Sequence, residues 1–247
     1  MAKFLLVNLN NTSTKLGLAD EKELLAKKVI STKNLSIPAV KRAVRRWEFD
    51  HVLVGSVVPK KTGVFRKLFR AGVKEVTPDL DLGVGIDFSE PHDIGADRLA
   101  NAVGVTTRYG SPAIVVDFGT AVTFDIVSLK GVYEGGVIAP GLGVMTDYMY
   151  QRTALLPKID LEEPVSVIGK TTKSAMLAGA IYGYRGLVRQ IVTEIVAKLE
   201  GKVRIVGTGS YANLIAGSLR GRSDRTRPGG DDGLHVPTDR LAAEDRS

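Results

Sequence analysis

The sequence predicts an α/β protein made of two copies of one mixed unit, with a cleft between the copies. Residues 7–18 and 115–126 follow the same plan, an apolar strand, a small polar turn and a returning strand. The two stretches lie roughly 110 residues apart, about half the chain. The order β-β-β-α-β-α-β that starts with the first stretch begins again at the second. Such alternation is typical of a mixed sheet flanked by helices.

In the first half, alternating or clustered apolar residues predict a three-stranded meander at 3–7, 16–18 and 24–29. A helix is predicted over 37–46, with Pro38 in its first turn, where a missing N–H group costs nothing. A short buried strand at 52–55, a basic helix at 60–70 and a strand at 75–77 complete the unit.

The second half repeats this order after Pro112, with strands predicted at 113–117, 122–127 and 132–136. The longest helical pattern covers 176–199, and Gly183 and Gly186 predict close helix packing there. A last buried strand at 203–206 enters a turn at 207–210. The predicted domains are therefore 1–112 and 113–219. Residues 220–247, rich in Arg, Asp, Gly and Pro, cannot build a core and predict a poorly ordered tail.

Composition excludes several classes of protein. The 247 residues contain no cysteine, which excludes disulfides and thiolate metal sites and favours a reducing, cytoplasmic location. The apolar run at 4–7 is too short for a membrane span. The net charge of +7 is spread along helices without an aromatic and basic binding motif. We therefore predict a solvated basic surface, no nucleic-acid site and no membrane association, with nucleic-acid binding kept as a minor alternative.

The two polar turns are candidate phosphate-binding elements. Turns rich in Gly, Asn or Thr leave N–H groups and hydroxyls free to bind phosphate oxygens or a metal-bound water. The same residues are common in plain β-turns, so the pattern alone leaves two ordinary hairpins as the alternative. A P-loop is excluded at 168–172, because Pro164 stands where that motif needs a glycine.

Asp97 lies near the start of a helix predicted within 93–102. The free N–H groups of a first helical turn stabilise a carboxylate there, which is a sufficient structural reason for an acid at this position. A carboxylate beside an arginine at a helix start also suits a general base that takes a proton from a hydroxyl. The residues by themselves leave both interpretations open.

Five segments in order resemble the motifs of type III pantothenate kinases. Residues 91–102 resemble PxEVGADRxxNA, 117–125 resemble DxGTATTxD, 135–142 resemble GGxIxPGL, 153–157 resemble TAxLP, and 169–184 resemble GxxTxxAMxxGxxxGY. The resemblance covers roughly residues 1–215. It implies two ribonuclease-H-like domains of the actin, sugar-kinase and heat-shock ATPase superfamily. It also implies transfer of the ATP γ-phosphoryl to pantothenate, the first step toward coenzyme A, by a homodimer that needs Mg²⁺ and K⁺ or NH₄⁺.

The resemblance also implies residue roles. Asp97 takes the place of the general base, Asp117 that of the K⁺ ligand and Thr120 that of an ATP contact. The implied pantothenate contacts are Phe88, Gly95, Ala96, Asp97, Arg98 and Thr172. The implied ATP hairpin consists of Asn8, Leu9, Asn10, Asn11, Thr12, Ser13, Thr14 and Lys15.

This chain departs from the family pattern at four positions. The first motif, DxGNTxxK, has Asn8 in place of the metal-proximal aspartate and Asn10 in place of glycine. Phe88 stands where a tyrosine is usual, and Ser210 replaces a glycine of the TGG motif. An asparagine keeps an oxygen ligand for Mg²⁺ but loses the charge. The alternative function is therefore a catalytically weak binding or regulatory protein of the same fold.

Overall fold

The computed structural model describes residues 2–216, and the predicted tail at 220–247 lies outside them. The chain divides into two compact units. Unit 1 contains the residues up to Gly83 together with Ser89–Val103, and unit 2 contains Val84–Phe88 together with the chain from Gly104 onward. The domain boundary at 112–113 stays a prediction.

Unit 1 is built on a five-stranded sheet with the order β3-β2-β1-β4-β5. Strand β1 pairs antiparallel with β2 and parallel with β4. The strands are β1 Phe4–Leu9, β2 Ser13–Ala19, β3 Leu24–Ser31, β4 His51–Ser56 and β5 Val73–Glu75, and the helices are α1 Ile37–Val44 and α2 Pro59–Phe69.

Strict alternation along β1 makes the core of this unit. Leu5, Val7 and Leu9 are buried and pack in one cluster with Val54 of β4 and Phe65 of α2. Helix α1 begins after Ser36, whose hydroxyl accepts a hydrogen bond from the N–H of Ala39 at 3.4 Å. The cap satisfies one of the free donors of the first turn, as expected for serine at this position.

Unit 2 contains a second five-stranded sheet, with the order β10-β7-β8-β9-β6. Its strands are β6 Gly85–Ile86, β7 Ala113–Phe118, β8 Ala121–Val127, β9 Val132–Pro140 and β10 Arg204–Gly209. Its helices are α4 Leu142–Arg152, α5 Thr172–Val196 and α6 Ala212–Ala216, while α3, Ala96–Tyr109, begins in unit 1 and ends in unit 2. One face of β7 and β8 packs on α5 through Ile114, Phe124 and Ile181.

The two sheets confirm the predicted duplication. In each unit an antiparallel meander, β1-β2-β3 or β7-β8-β9, is joined by a strand parallel to its first member, β4 or β10. The shared order is therefore 3-2-1-4 in unit 1 and 9-8-7-10 in unit 2. The chain has the α/β fold class predicted from the sequence, with two mixed sheets flanked by helices.

Three details differ from the sequence predictions. Strand β10 continues to Gly209, through residues predicted as a turn, because residues 204–209 pair along the whole of β7. The two-residue strand β6 was not predicted, and it exists only through its pairing with β9. Among the described residues 2–216, no atom lies within 4 Å of a Cβ atom built on Gly183 or Gly186, so the predicted close helix packing does not occur there in this part of the chain.

None of the helices in the described part of the chain combines the length and the apolar character that a membrane span requires.

Candidate functional site

The turn between β1 and β2, called hairpin 1 and comprising residues 8–15, contains the predicted ATP contacts of unit 1. The N–H of Asn10 donates to the carbonyl of Ser13 at 3.1 Å and closes the turn. Asn8 is exposed and lies opposite Lys15, which is also exposed. An amide and an ammonium group therefore stand side by side at the end of β1, where an anionic ligand has access to both.

Two of the predicted ATP contacts in hairpin 1 are fully buried. Leu9 and Thr14 have no exposed surface, so neither residue is accessible to a ligand in this structure. Asn11 and Thr12 are exposed, and among the hydrogen bonds of residues 2–216 none uses their backbone N–H groups. These two N–H groups are the free donors expected of a phosphate-binding turn.

The turn between β7 and β8, called hairpin 2 and comprising residues 117–123, repeats this construction. The N–H of Gly119 donates to the carbonyl of Ala121 at 3.1 Å, and the N–H of Gly141 donates to the carbonyl of Thr120 at 3.0 Å. A Cβ atom on Gly141 would lie 2.2 Å from the Thr120 carbonyl oxygen. Only glycine permits this approach, so the start of α4 holds the turn through backbone alone.

Asp117 lies in a space made by two glycines. Its Oδ1 atom would be 2.5 Å from a Cβ atom on Gly209 and 4.0 Å from one on Gly119. Gly209 has a φ angle of 93°, which favours glycine at this position. The Asp117 side chain is partly exposed at the end of β7. The lack of a Cβ atom at Gly209 thus leaves room for the carboxylate, which has access to solvent.

Tyr184 supports the segment that grips hairpin 2. Its hydroxyl donates to the carbonyl of Pro140 at 3.3 Å, next to Gly141. Burial raises the pKa of Tyr184 to about 12. The hydroxyl therefore keeps its proton throughout the physiological range and stays a donor to this carbonyl.

The predicted base Asp97 is the second residue of α3. Its Oδ1 accepts a hydrogen bond from the N–H of Arg98 at 2.9 Å. A Cβ atom on Gly95 would lie 2.6 Å from the same oxygen, so a side chain at Gly95 would push the carboxylate away. The Gly-Ala-Asp-Arg sequence therefore holds a half-exposed carboxylate against the first turn of the helix.

Within unit 1, the structure brings hairpin 1 and the start of α3 to the same end of β4. Gly55 is the register partner of Asn8, and its Cβ position lies 3.7 Å from the Cβ of Ala96. The next turn, at Val57, donates its N–H to the carbonyl of Leu9 at 3.0 Å. A methyl group of Val57 lies 3.3 Å from the Cβ position of Gly95. The predicted ATP hairpin and the predicted base are thus neighbours.

The other predicted pantothenate contacts differ in accessibility. Ala96 and Arg98 are buried. Phe88 follows β6 in unit 2, is 36% exposed, and packs on the backbone of Gly135 with its ring 6.3 Å from that of Tyr133. Phe88 presents an apolar edge where the family pattern has a phenol.

Thr172 is the exposed first residue of α5. Thr171 and Ser174 form a capping box around it, with bonds of 2.9 and 3.2 Å between side chains and backbone. Gly169 is required before this cap, because its Cβ atom would lie 2.2 Å from the backbone nitrogen of Ala175. A surface cavity of about 400 Å³ adjoins the cap. Its walls are mainly apolar, with Val165, Ile168 and Leu177 beside Lys170 and Ser174, and Thr172 does not line it. The cap leaves the Thr172 hydroxyl free for a ligand.

The sequence reasoning missed two residues that hold these turns, Thr32 and Gly141. Thr32 lies 22 residues from Asn10, to whose carbonyl it donates, and no local pattern connects the two. Gly141 falls inside the GGxIxPGL-like segment, and its repeated glycines were the only available signal.

Comparison with known proteins assigns the family. The family model described as type III pantothenate kinase matches residues 4–194. A type III pantothenate kinase of Methylacidiphilum infernorum is 41% identical over 218 residues, which cover 87% of this chain and 80% of that protein. One from Akkermansia muciniphila is 43% identical over 226 residues, 91% of this chain and 93% of that protein.

Solved structures support the fold alone. A conserved putative Baf family transcriptional activator from Campylobacter jejuni superposes with a TM-score of 0.52 at 16% identity, over 87% of both chains. The ethanolamine utilization protein EutJ from Carboxydothermus hydrogenoformans gives a TM-score of 0.50 at 16% identity, over 88% of this chain and 80% of that chain. Neither likeness bears on activity at such low identity.

The match over most of the chain and the two relatives above 40% identity agree with the five motifs and with the duplicated sheets. Nothing among these relatives favours the alternative of a weak regulatory homologue. The chain belongs to the type III pantothenate kinase family.

Proposed function

We propose that this protein transfers the γ-phosphoryl group of ATP to the primary hydroxyl of pantothenate, giving 4′-phosphopantothenate and ADP in the cytoplasm. The observation that carries the proposal is the convergence of hairpin 1 and the Asp97 turn at the end of β4. A phosphoryl transfer needs a cradle for the phosphates and a base beside the attacking hydroxyl, and these are the two elements brought together there.

In this reaction the pantothenate hydroxyl oxygen forms a bond to the γ-phosphorus, and the bond from that phosphorus to the bridging oxygen of ADP breaks. Asp97 accepts the hydroxyl proton. The hydrogen bond from the Arg98 N–H, at 2.9 Å, orients one carboxylate oxygen and leaves the other for the substrate. The free N–H groups of Asn11 and Thr12, with the Lys15 ammonium, neutralise phosphate charge.

The residues of hairpin 1 fit a Mg²⁺ ion that arrives with the nucleotide. Mg²⁺ is usually held by one or two protein oxygens, by phosphates and by waters. Among the described residues no three His, Cys, Asp or Glu side chains form a metal-binding cluster, so these residues do not provide a site in which every metal ligand comes from the protein. The Oδ1 atom of Asn10 is buried without a hydrogen-bond partner, and Asn8 is exposed. The Asn8 amide is available to the metal or its waters, and the bound ion would supply charge neutralisation at the phosphates.

Asp117 fits a monovalent cation. Its carboxylate lies beside Gly119 and Gly209, and a Cβ atom at Gly209 would crowd it. K⁺ or NH₄⁺ held there would add positive charge on the side of hairpin 2. Asp117 would supply the anionic oxygen that stabilises the positive charge of the cation next to a phosphate-binding turn.

We also propose that the protein is a homodimer. Helix α4, which packs against α5, exposes apolar side chains at 38–58% of their surface, namely Val144, Met145, Tyr148, Met149 and Tyr150. On α5, Cβ atoms at Gly179, Gly183 and Gly186 would meet no atom of residues 2–216 within 4 Å. An apolar helix beside a row of glycines is a surface on which a second helix can pack closely. Met149→Lys should convert the dimer to monomer in light scattering, and an unmodified protein that is monomeric at micromolar concentration would contradict the proposal.

The test of the function is a coupled assay for ADP release with pantothenate, MgATP and either K⁺ or Na⁺, with mass spectrometry of the product. We expect turnover only when ATP and pantothenate are both present, and faster turnover in K⁺ than in Na⁺. A protein that binds both substrates but forms no phosphopantothenate would overturn the proposal. Equal rates in K⁺ and Na⁺ would contradict only the proposed requirement for a specific monovalent cation and would leave the kinase activity unaffected.

A further inference from the structure

A pair of buried threonines supports hairpin 1 from below. Thr14, with no exposed surface, and Thr32, 4% exposed, place their hydroxyl oxygens 3.0 Å apart. The Thr32 hydroxyl donates to the carbonyl of Asn10 at 2.7 Å. The N–H of Thr32 donates to the carbonyl of Thr12 at 3.0 Å. Thr32 thus holds two carbonyls of the turn, one with its side chain and one with its backbone.

The direction of these bonds follows from the count of protons. A threonine hydroxyl has one proton to donate and two lone pairs that accept. The Thr32 proton is used on the Asn10 carbonyl, so Thr14 must donate to the Thr32 oxygen. The result is a relay, Thr14 to Thr32 to Asn10, that runs from the core of the sheet to the turn. Hydrogen bonds in such a buried chain reinforce one another.

The second unit shows what this relay adds. The strand registers make Thr32, the residue after β3, equivalent to Gly141, the residue after β9. Both donate their N–H to the equivalent carbonyl, of Thr12 or Thr120, and both bonds are 3.0 Å long. The same registers place Val122 where unit 1 has Thr14. Hairpin 2 therefore has the backbone bond and has no hydroxyl relay, because its two positions are valine and glycine.

The turns also differ in length. Between the last paired residues, hairpin 1 has four residues, 10–13, and hairpin 2 has three, 119–121. The additional residue is Asn11. A longer turn loses more conformational entropy on ordering. The relay compensates for that loss at the residue, Asn10, that precedes the insertion.

We propose that Thr32 is a positioning residue for the nucleotide, acting through Asn10 and Thr12, and that Thr14 assists it. This rests on the proposed role of hairpin 1 in binding ATP. Because a trans peptide sets its N–H opposite its C=O, the Asn10 carbonyl held from below directs the Asn11 N–H away from the core. The Asn11–Thr12 peptide unit, which carries the Thr12 N–H, is restricted between the two held carbonyls. Without the Thr32 hydroxyl, the Asn10 carbonyl loses its donor and the turn has to be ordered by the ligand itself.

The test is nucleotide affinity in threonine variants. The affinity for a fluorescent N-methylanthraniloyl derivative of ATP, with Mg²⁺, is measured together with the KM values for ATP and pantothenate. Thr32→Val, which keeps the shape and removes the hydroxyl, should weaken nucleotide binding about tenfold, the factor for one net hydrogen bond. Thr32→Ser keeps the hydroxyl and should stay close to the unmodified protein. The KM for pantothenate should not change in either variant.

Thr146→Val is the matched control. Thr146 is also buried, in α4, and among the described residues its hydroxyl bonds only to carbonyls of its own helix. It should leave nucleotide affinity unchanged. Equal affinity of Thr32→Val and the unmodified protein, or an equal loss in Thr146→Val, would overturn the proposal. If Thr32→Val does not fold, Thr14→Val decides: weaker nucleotide binding supports the relay, and unchanged binding overturns it.

Binding and turnover separate this proposal from the proposed function. An unmodified protein that binds the nucleotide but does not phosphorylate pantothenate contradicts the function, while the affinities still decide the role of Thr32. An unmodified protein that binds no nucleotide contradicts both.

Discussion

Hairpins 1 and 2 are built on the same strand register and held in different ways. Both close with the same backbone bond, at 3.1 Å, and both are gripped by the residue after the third strand, at 3.0 Å. Hairpin 2 is held by glycine backbone at Gly141. Hairpin 1 is held by the hydroxyls of Thr14 and Thr32. The same strand arrangement therefore allows two ways of holding the turn. In unit 2 a glycine backbone approaches the turn closely, and in unit 1 two buried hydroxyls form a hydrogen-bonded relay.

The registers also make Asn8 and Asp117 equivalent. Each is the last residue but one of its strand, and each pairs with the third residue of the following strand, Lys15 or Thr123. The charge thus lies in unit 2 and the neutral amide in unit 1. This asymmetry matches the proposed division of work, with a monovalent cation at Asp117 and a metal brought by the nucleotide at Asn8. The predictions below test this division.

The largest expected effect on turnover is at Asp97, which lies outside both hairpins. Asp97→Asn should lower kcat by about 10²–10⁴, the usual range for a positioned base, with pantothenate affinity largely kept. Single-turnover and equilibrium binding measurements check both. The control is Asp93→Asn, an exposed acid just before α3, which should leave kcat close to normal. Near-normal turnover in Asp97→Asn would contradict the assignment.

Reciprocal changes at the equivalent positions should have the next largest effect. Asp117→Asn should remove the preference for K⁺ over Na⁺ and lower kcat roughly 10–100-fold, because a charged partner contributes about 1.5–3 kcal/mol. Asn8→Asp should lower the half-saturating Mg²⁺ concentration, since it restores a carboxylate at the end of β1.

The readouts are rate against K⁺ and rate against Mg²⁺ for each variant. Asn10→Gly belongs in the same series, alone and with Asn8→Asp, because the two positions share one turn and need not act additively. Should the Mg²⁺ dependence stay the same in every variant at Asn8, this residue is not near the metal. A K⁺ preference that survives in Asp117→Asn would place the cation elsewhere.

Gly141→Ala tests the glycine solution directly. Its new methyl would lie 2.2 Å from the Thr120 carbonyl oxygen and 2.4 Å from that of Gly119. We expect a loss of roughly 1–3 kcal/mol in the free energy of unfolding, as for overpacked sites, seen in urea titration. Gly104→Ala is the control, because a Cβ atom there meets nothing and alanine is favoured in a helix. A Gly141→Ala protein as stable as the unmodified one would show that hairpin 2 can shift to make room for the methyl group.

The smallest expected effect concerns an ion pair in each unit. In unit 2, Glu163 binds the buried Arg185 through two bonds, at 2.9 and 2.6 Å. The hydrogen bond from Arg185 holds the pKa of the Glu163 carboxyl below its ordinary value of 4.5. Its counterpart in unit 1, Arg66–Glu75, has an exposed arginine, and the hydrogen bond from Arg66 also lowers the pKa of Glu75.

A carboxyl with a lowered folded-state pKa stabilises the protein above its unfolded-state pKa, and this contribution disappears as the pH falls through the folded value. Glu163→Gln should therefore reduce stability at pH 7, by about 1 kcal/mol after allowing for the exposure of Glu163, and flatten the loss of stability below pH 4.5. Glu75→Gln should change little at pH 7, because Arg66 remains solvated. Thermal unfolding between pH 3 and 7 checks both, and a larger loss in Glu75→Gln would reverse the ranking.

The sequence alone determined the features that depend on local chemistry. Alternating or clustered apolar residues predicted β1, β7 and β8, since the burial of a strand is encoded in its own residues. Periodicity predicted α2 and α5, and the residues 93–102 predicted a helix with Asp97 near its start, where the structure has it. Element ends were less accurate: β10 runs to Gly209 because β7 supplies partners that a local reading of the sequence does not contain.

Only the tertiary structure decided which residues hold the predicted turns. Thr14 and Thr32 are 18 residues apart in sequence, and each, read locally, is an ordinary threonine of a polar segment. They meet because β2 and β3 pair in one register, which sets Ser13 opposite Ser31 and brings the next residue, Thr32, beneath the turn. Gly141 reaches Thr120 by the same rule in unit 2. Strand register is a property of the whole sheet, so the residue that supports each hairpin can be identified only from the assembled sheet.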